Sequence, residues 1–315
     1  MMTHNRIESA GCDDRIKRFV APLIQNLHAG SDTVILTFAL PRAAEVPKPG
    51  QFMMIKSERP GFPLFARAFS IFDYREKPDG AEVDFLVKAV GQGTGLLTRA
   101  EPGDRALLVG PLGHGFPDPP DDTELILVGG GTGVAPFCFL LNDFKRRGHV
   151  ERRVILLHGA RDAGSLLGFE RFASLPFEAQ AATEDGSFGT KGLIDVLLRQ
   201  KLAEREDRGA AWVFVCGPDP MMKAISLITE RHNLPTFLSL ETRMACGTGI
   251  CNGCAVAFEE KTGDQKTLHY LRACYDGPVF PATQLPEFRS TCRAESTGKA
   301  PPDRHGTVDE QGKRV

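Results

Sequence analysis

Apolar and polar positions alternate along Val34, Leu36, Phe38 and Leu40, and again along Val83, Phe85 and Val87. A period of two places every second side chain on one face, so both runs predict half-buried strands. Pro49-Gly50, Asp79-Gly80 and Pro102-Gly103 supply turn chemistry between such runs, and residues 16–115 are read as a small antiparallel barrel. Near residue 120 the pattern changes. Unbroken apolar runs at Leu125 to Val128, Val154 to Leu157 and Ala211 to Val215 alternate with helical spacing at Val134 to Phe144, Gly192 to Leu202 and Pro220 to Arg231. Strands buried on both faces need such runs, so residues 120–240 predict a doubly wound α/β domain. Residues 241–288 are read as a small glycine- and cysteine-rich third domain. Residues 296–315 are polar, with almost no large apolar side chain, and predict a disordered tail.

The length of 315 residues suits about two domains plus an appendage. A net charge of -2 gives no electrostatic reason to expect nucleic acid or an anionic membrane as partner. The first twenty residues are polar and no long apolar run follows, so a cytoplasmic protein without a membrane span is expected. Four of the eight cysteines fall at 246, 251, 254 and 274. Without an export signal, metal binding accounts for that cluster better than disulfides do. Cys12, Cys138 and Cys292 are read as isolated thiols.

Four motifs carry chemistry. Cys246-x4-Cys251-x2-Cys254, followed by Cys274, has the spacing of plant-type [2Fe-2S] ligands, with a four-cysteine zinc knot as the alternative. Gly129-Gly130-Gly131-Thr132-Gly133-Val134-Ala135-Pro136 follows an apolar strand and opens a helix. The backbone there can approach a pyrophosphate, although the spacing departs from G-x-G-x-x-G and a plain tight turn is the alternative. Cys216-Gly217-Pro218-Asp219-Pro220-Met221-Met222 also sits at a strand end, where ligands gather in parallel sheets and where a buried filler thiol is equally at home. Arg67-Ala68-Phe69-Ser70, with Gly91-Gln92-Gly93-Thr94-Gly95 beyond it, offers a bidentate grip and backbone donors for a diphosphate. A surface arginine and a turn explain this last pair as well.

Taken in order, these motifs resemble the ferredoxin reductase-type flavoproteins over about residues 16–285. The resemblance implies an α+β multidomain fold: an FAD-binding β-barrel, a nucleotide-binding α/β domain and a small C-terminal [2Fe-2S] domain. It implies FAD contacts at Arg67, Phe69, Ser70, Lys88, Gly91, Gly93 and Thr94, with Phe69 standing where the family carries tyrosine. It carries Gly130, Thr132, Gly133 and Gly217 to the nicotinamide nucleotide and Cys216 to the catalytic position beside the nicotinamide. Cys246, Cys251, Cys254 and Cys274 become cluster ligands.

The stretches GPLGHGF from Gly110, ATEDGSFGTKG from Ala182 and CYDGPVF from Cys274 resemble more closely the electron-transfer subunits of two-subunit, NAD-dependent dihydroorotate dehydrogenases. Ala68 departs from the proline common there, as does the long tail. This resemblance implies a heterotetramer with an FMN-containing catalytic subunit, and electron relay through the cluster and FAD to NAD(H) in pyrimidine synthesis. A flavin is the needed converter between a hydride, which carries two electrons, and a one-electron cluster. Glu184 and Asp185 would repel a 2′-phosphate and favour NAD over NADP, whereas Arg161 argues the other way. The rivals are a reductase subunit of a hydrogenase or ferredoxin:NADP oxidoreductase complex, and a non-catalytic module organised by a metal knot.

Overall fold

The computed structural model describes residues 17–289, apart from 31, 43, 206–209 and 263–264. The predicted tail, Cys12 and Cys292 lie outside the described residues. Strands β1 (Arg18–Gly30), β2 (Thr33–Pro41), β3 (Phe52–Ser57), β4 (Arg67–Lys77) and β5 (Gly80–Lys88) are followed by helix α1 (Gln92–Thr98) and strand β6 (Arg105–Leu112). The strands close an antiparallel barrel in the order β1-β2-β5-β4-β3-β6, with β6 pairing back onto β1. The alternating residues Val34, Leu36, Phe38, Val83, Phe85 and Val87 fill its interior with Met53, Ile55 and Leu108. The outward faces of these strands are not all solvated. Ile35, Phe72 and Leu86 pack outward against Val134 and Phe137 of the next region, so part of the barrel wall is buried on both sides.

That region runs through β7 (Glu124–Gly130), α2 (Ala135–Arg146), β8 (Val154–Ala160), α3 (Phe169–Ala173), β9 (Glu178–Thr183) and β10 (Thr190–Lys191). It continues through α4 (Ile194–Glu204), β11 (Ala211–Cys216), α5 (Asp219–Arg231) and β12 (Thr236–Ser239). The remaining segment adds the hairpin β13 (Ala255–Thr262) and β14 (Gln265–Arg272), then β15 (Val279–Pro281). The second sheet has the order β10-β9-β8-β7-β11-β12-β15, parallel throughout except that β15 joins its edge antiparallel to β12. In β7, Leu125 and Leu127 face α2, while Ile126 and Val128 face α4 and α5. Burial on both faces is why that strand reads as an unbroken apolar run. Pro220 and Asp219 in the first turn of α5 suit a helix start, where an N–H is unpaired anyway and negative charge is favoured.

An ionic network closes the seam between barrel and α/β region. Arg75 grips Asp84 with two 2.8 Å bonds and reaches Asp73 at 3.1 Å. From across the seam, Arg146 of α2 reaches Asp73 at 3.2 Å and Arg171 of α3 reaches Asp84 at 3.6 Å. Thr37 donates a further 2.7 Å bond to Asp84, which is only 1% exposed. Among the described residues no helix is long and apolar enough to cross a membrane.

Removing Asp84 takes away the forked Arg75 contact and the Thr37 hydrogen bond, while the partly exposed Arg75 keeps Asp73 and Glu82 as partners. Asp84→Ala is expected to lower unfolding free energy by about 1.5–3 kcal/mol, read by chemical denaturation. A loss below about 1 kcal/mol would place the seam's strength in its apolar contacts alone.

Candidate functional site

Barrel, strand ends and cysteine loop converge on two adjoining cavities. The larger, about 820 Å³, is lined by Arg67, Phe69 and Ser70 of β4, Lys88 of β5, Thr94 of α1 and Thr132, and closed by residues 239–245 and Gly253. The smaller, about 530 Å³, lies beyond the ends of β7, β8 and β11, lined by Gly130, Arg161, Glu184, Pro218 and Met221. Both volumes fall in the range of small-molecule and cofactor sites. Lys88 lines both, at the boundary between them.

At the barrel end, the Arg67 guanidinium donates to the carbonyls of Phe65 (2.8 Å) and Ala66 (3.3 Å), with Gly93 beside it. The Thr94 hydroxyl accepts from the N–H groups of Val90 and Gly91 at 2.9 and 3.0 Å. The glycine-rich stretch from Gly91 is therefore the start of α1 and not a free loop. The Thr242 hydroxyl on the opposite wall is buried with no partner among the described residues. A buried polar group of that kind suits a cavity that receives a polar ligand.

At the strand ends, a Cβ on Gly133 would run into the Cys216 carbonyl, so only glycine lets the turn after β7 lie against the end of β11. Gly217 packs against the Gly130 backbone in the same junction. Thr132, expected at the nicotinamide nucleotide, lines the larger cavity, next to the smaller one that Gly130 and Gly131 line. Cys216 lines neither cavity. It is 1% exposed, and burial followed by the nearby Glu241 charge pushes its thiol up, opposed by a hydrogen bond to Ser239. Glu241, exposed at the mouth of the larger cavity, has its carboxyl raised by desolvation from the surrounding protein and then by Asp219. Sequence reasoning missed Ser239, Glu241 and Thr242. Their signal was position, directly at and after the end of a parallel strand.

Behind the glycine-rich turn, His158 of β8 is fully buried against Phe169 and Phe172. Burial lowers its pKa to about 4, only partly offset by the Gly131 backbone.

The four cysteines arrive in two pairs. The Cys251 N–H points at Cys246 Sγ (3.5 Å), and the two side chains also meet. The Cys274 N–H points at Cys254 Sγ (3.4 Å), with those side chains likewise in contact. Thr248 and Gly249 add N–H groups toward Cys246 and Cys274 at 3.4 and 3.2 Å. Burial pushes the Cys246 thiol up, yet the donors from Cys251 and Thr248 prevail and hold it at about 6. Burial, followed by the Cys254 side chain, pushes Cys274 up to about 12. Among the described residues no three His, Cys, Asp or Glu side chains converge on a single ion position. Two thiol pairs with amide donors fit the two irons of a [2Fe-2S] cluster better than one tetrahedral zinc.

Comparison with known proteins agrees with this geometry. Residues 241–286 match the iron-sulfur cluster binding domain of dihydroorotate dehydrogenase B, and residues 127–226 match the oxidoreductase NAD-binding domain. A Desulforamulus reducens protein named dihydroorotate dehydrogenase B (NAD(+)), electron transfer subunit, is 35% identical over 85% of this chain and 98% of its own length. A Geobacillus kaustophilus protein of the same name is 34% identical over 80% and 92% of the two chains. Among solved structures, the NADH-dependent reduced ferredoxin-NADP oxidoreductase is similar with a TM-score of 0.69 at 27% identity, over 84% of this chain and 89% of that one. A ferredoxin NADP+ reductase from Neisseria gonorrhoeae with bound FAD and NADP shares the fold, with a TM-score of 0.55 at 22% identity over 70% and 91% of the chains.

Gly133→Ala is expected to weaken NADH binding at least about tenfold, a loss of about 1.4 kcal/mol, while the barrel keeps its flavin; titration of NADH fluorescence reads the difference. Unchanged affinity would mean that the turn tolerates the added methyl. His158 adds an acid dependence with a definite sign. The unfolded chain takes up the proton near pH 6.5, before the folded chain does at about 4, so stability falls as pH drops through that window. Relative to His158→Gln, the parent chain is expected to lose about 2 kcal/mol between pH 6.5 and 5 in denaturant melts. Parallel stability curves would assign that acid sensitivity to other groups.

Proposed function

The chain belongs to the family of electron transfer subunits of NAD-dependent dihydroorotate dehydrogenase B, and from that premise we propose how its residues serve the relay. It is an oxidoreductase subunit that uses FAD, a [2Fe-2S] cluster and NAD(H). Its partner is the catalytic subunit that its relatives' name implies. In our reading that partner carries FMN, oxidises dihydroorotate to orotate, and joins this chain in a cytoplasmic heterotetramer.

The observation that carries the reading is a shared wall. Met244, Ala245 and Gly253, which flank the cysteines, close the same cavity that Arg67, Phe69 and Ser70 open from the barrel. Bound FAD supplies the conversion between hydride exchange with NAD(H) and one-electron exchange with the cluster. Arg67, Ser70, Gly91, Gly93 and Thr94 hold the flavin's diphosphate end, and Phe69 flanks its ring. Lys88 orients groups on either side of the boundary between the cavities. Gly130, Gly133 and Gly217 set the nucleotide's approach by bringing two strand-end turns together. Cys216, buried behind them, supports the wall at which the nicotinamide meets the flavin. Cys246, Cys251, Cys254 and Cys274 hold the cluster.

The nucleotide cavity carries Glu184 and Arg161 together, and the carboxylate is the group expected to disfavour a 2′-phosphate. On the outer side, Cys251 is exposed between Ile250, which is 82% exposed, and the neighbouring Asn252. Tyr270 of the adjoining hairpin is 70% exposed. Apolar exposure beside a redox centre suits the exit toward the catalytic subunit.

The test is reconstitution with the catalytic subunit. The complex is expected to reduce NAD with dihydroorotate, whereas this chain alone, loaded with FAD and cluster, oxidises NADH with a small dye but has no dihydroorotate activity. Cys251→Ser is expected to keep FAD and dye reduction and to drop dihydroorotate-dependent NAD reduction to near background. Dihydroorotate oxidation by the isolated chain would overturn the division of labour.

A further inference from the structure

Arg272, the last residue of β14, is held on three sides. Its Nε and Nη2 donate to the Asp276 carboxylate at 3.0 and 3.3 Å, and its own backbone N–H reaches the same carboxylate at 2.7 Å. Its Nη1 donates to the Gly249 carbonyl at 3.3 Å. Its guanidinium carbon lies 4.6 Å from the centre of the Tyr275 ring. These partners come from both cysteine-bearing segments. Gly249 stands between Cys246 and Cys251, while Tyr275 and Asp276 follow Cys274.

Gly249 is fastened from two directions. Its N–H donates to Cys274 Sγ at 3.2 Å, and its carbonyl accepts from Arg272. Its φ of +80° and the Tyr275 ring beneath it leave no room for a side chain, so the loop has one way to lie. The contact places a permanent positive charge on Gly249, whose N–H meets Cys274 Sγ, and within electrostatic reach of Cys274 itself. Arginine suits this work because its planar fork can serve a carboxylate, a carbonyl and an aromatic face together, which an ammonium group cannot.

We propose that Arg272 is a positioning residue that ties the two cysteine-bearing loops together and, through its charge, sets the reduction potential of the cluster they hold. The inference rests on the cluster assignment above. A cluster gains negative charge on reduction, so a nearby cation favours the reduced form and a nearby anion opposes it. Arg272 and Asp276 therefore act with opposite sign. Solvent screens the partly exposed pair without cancelling it. Removing the arginine also leaves the Asp276 carboxylate without its counter-charge beside the fourth ligand, so both consequences shift the potential in the same direction.

The experiment uses the full chain with FAD and cluster in place. Iron and acid-labile sulfide in the parent chain establish the cluster, and their absence would overturn the assignment on which the inference rests. Redox titration followed by electron paramagnetic resonance of the reduced cluster then tests Arg272 itself. Arg272→Gln is expected to shift the one-electron equilibrium about tenfold toward the oxidised form, about 59 mV to lower potential. Asp276→Asn is expected to shift it the opposite way, and Arg272→Lys to shift it less than half as far as Arg272→Gln, because it keeps the charge though not the fork. A role in folding alone would move Gln and Lys variants together and give no shift of opposite sign at Asp276. Either result would overturn the proposal, and should Arg272→Gln fail to fold, the Lys and Asp276→Asn variants still decide it.

Discussion

Asp73 and Asp84, two carboxylates on the outer wall of the barrel, each accept guanidinium groups from both sides of a domain seam. The geometry of the relay depends on that seam. The larger cavity takes one wall from β4 and another from the turn after β7, so a slip between barrel and α/β region would open it. Apolar packing of Ile35, Phe72 and Leu86 on Val134 and Phe137 supplies attraction with little directional preference. The forked Arg75 contact, with Arg146 and Arg171 reaching in from α2 and α3, admits far fewer arrangements. Desolvating so many charges consumes most of the Coulomb energy. What the network adds beyond apolar packing is therefore mainly register between the two walls.

The cysteine-bearing segment is built into the same body. Its strand β15 completes the edge of the parallel sheet. The Leu240 N–H reaches the Pro278 carbonyl at 2.9 Å, and the His114 N–H reaches the Gly277 carbonyl at 2.6 Å. Cys254, Ala273 and Cys274 share one apolar cluster with Phe52, Met54 and Leu112 of the barrel and Leu238 and Phe280 of the sheet. A tethered cluster on a flexible linker could bind iron equally well. It could not keep Gly253 in the wall of the cavity that Arg67, Phe69 and Ser70 open from the barrel.

These relations explain what could be read from the chain beforehand. Alternation at Val34 to Leu40 revealed strands because it reflects local geometry, and the cysteine spacing pointed to an iron-sulfur segment, which the match over residues 241–286 supports, because thiolate chemistry has few other uses for it. Arg67, Phe69, Ser70, Lys88 and Thr94, dispersed in sequence, do converge on one cavity. The burial of Ile35 and Leu86 was not legible, since a strand's pattern does not announce that a helix from another domain will cover its second face. Asp73 and Arg146 were equally silent, being 73 residues apart and ordinary in their local contexts. Cys216 took its catalytic reading from the family resemblance, since a strand end suits a buried filler thiol equally and does not by itself determine whether a side chain points into the crevice or behind it.

Thr132 shows the same limit and adds a functional step. The glycine-rich turn was read as a phosphate cradle for one nucleotide, yet Gly130 lines the smaller cavity and Thr132, two residues on, lines the larger. A single turn thus borders both, as Lys88 does from the barrel side. Hydride exchange requires reacting atoms within about 3–3.5 Å, so FAD and NAD(H) held in these two cavities would need a boundary with almost no protein between them. A turn stripped to glycines, pressed so closely on the end of β11 that Gly133 has no space for a methyl, provides such a boundary. The glycines here let two cavities approach each other across one turn, a close approach that any side chain at Gly133 would prevent.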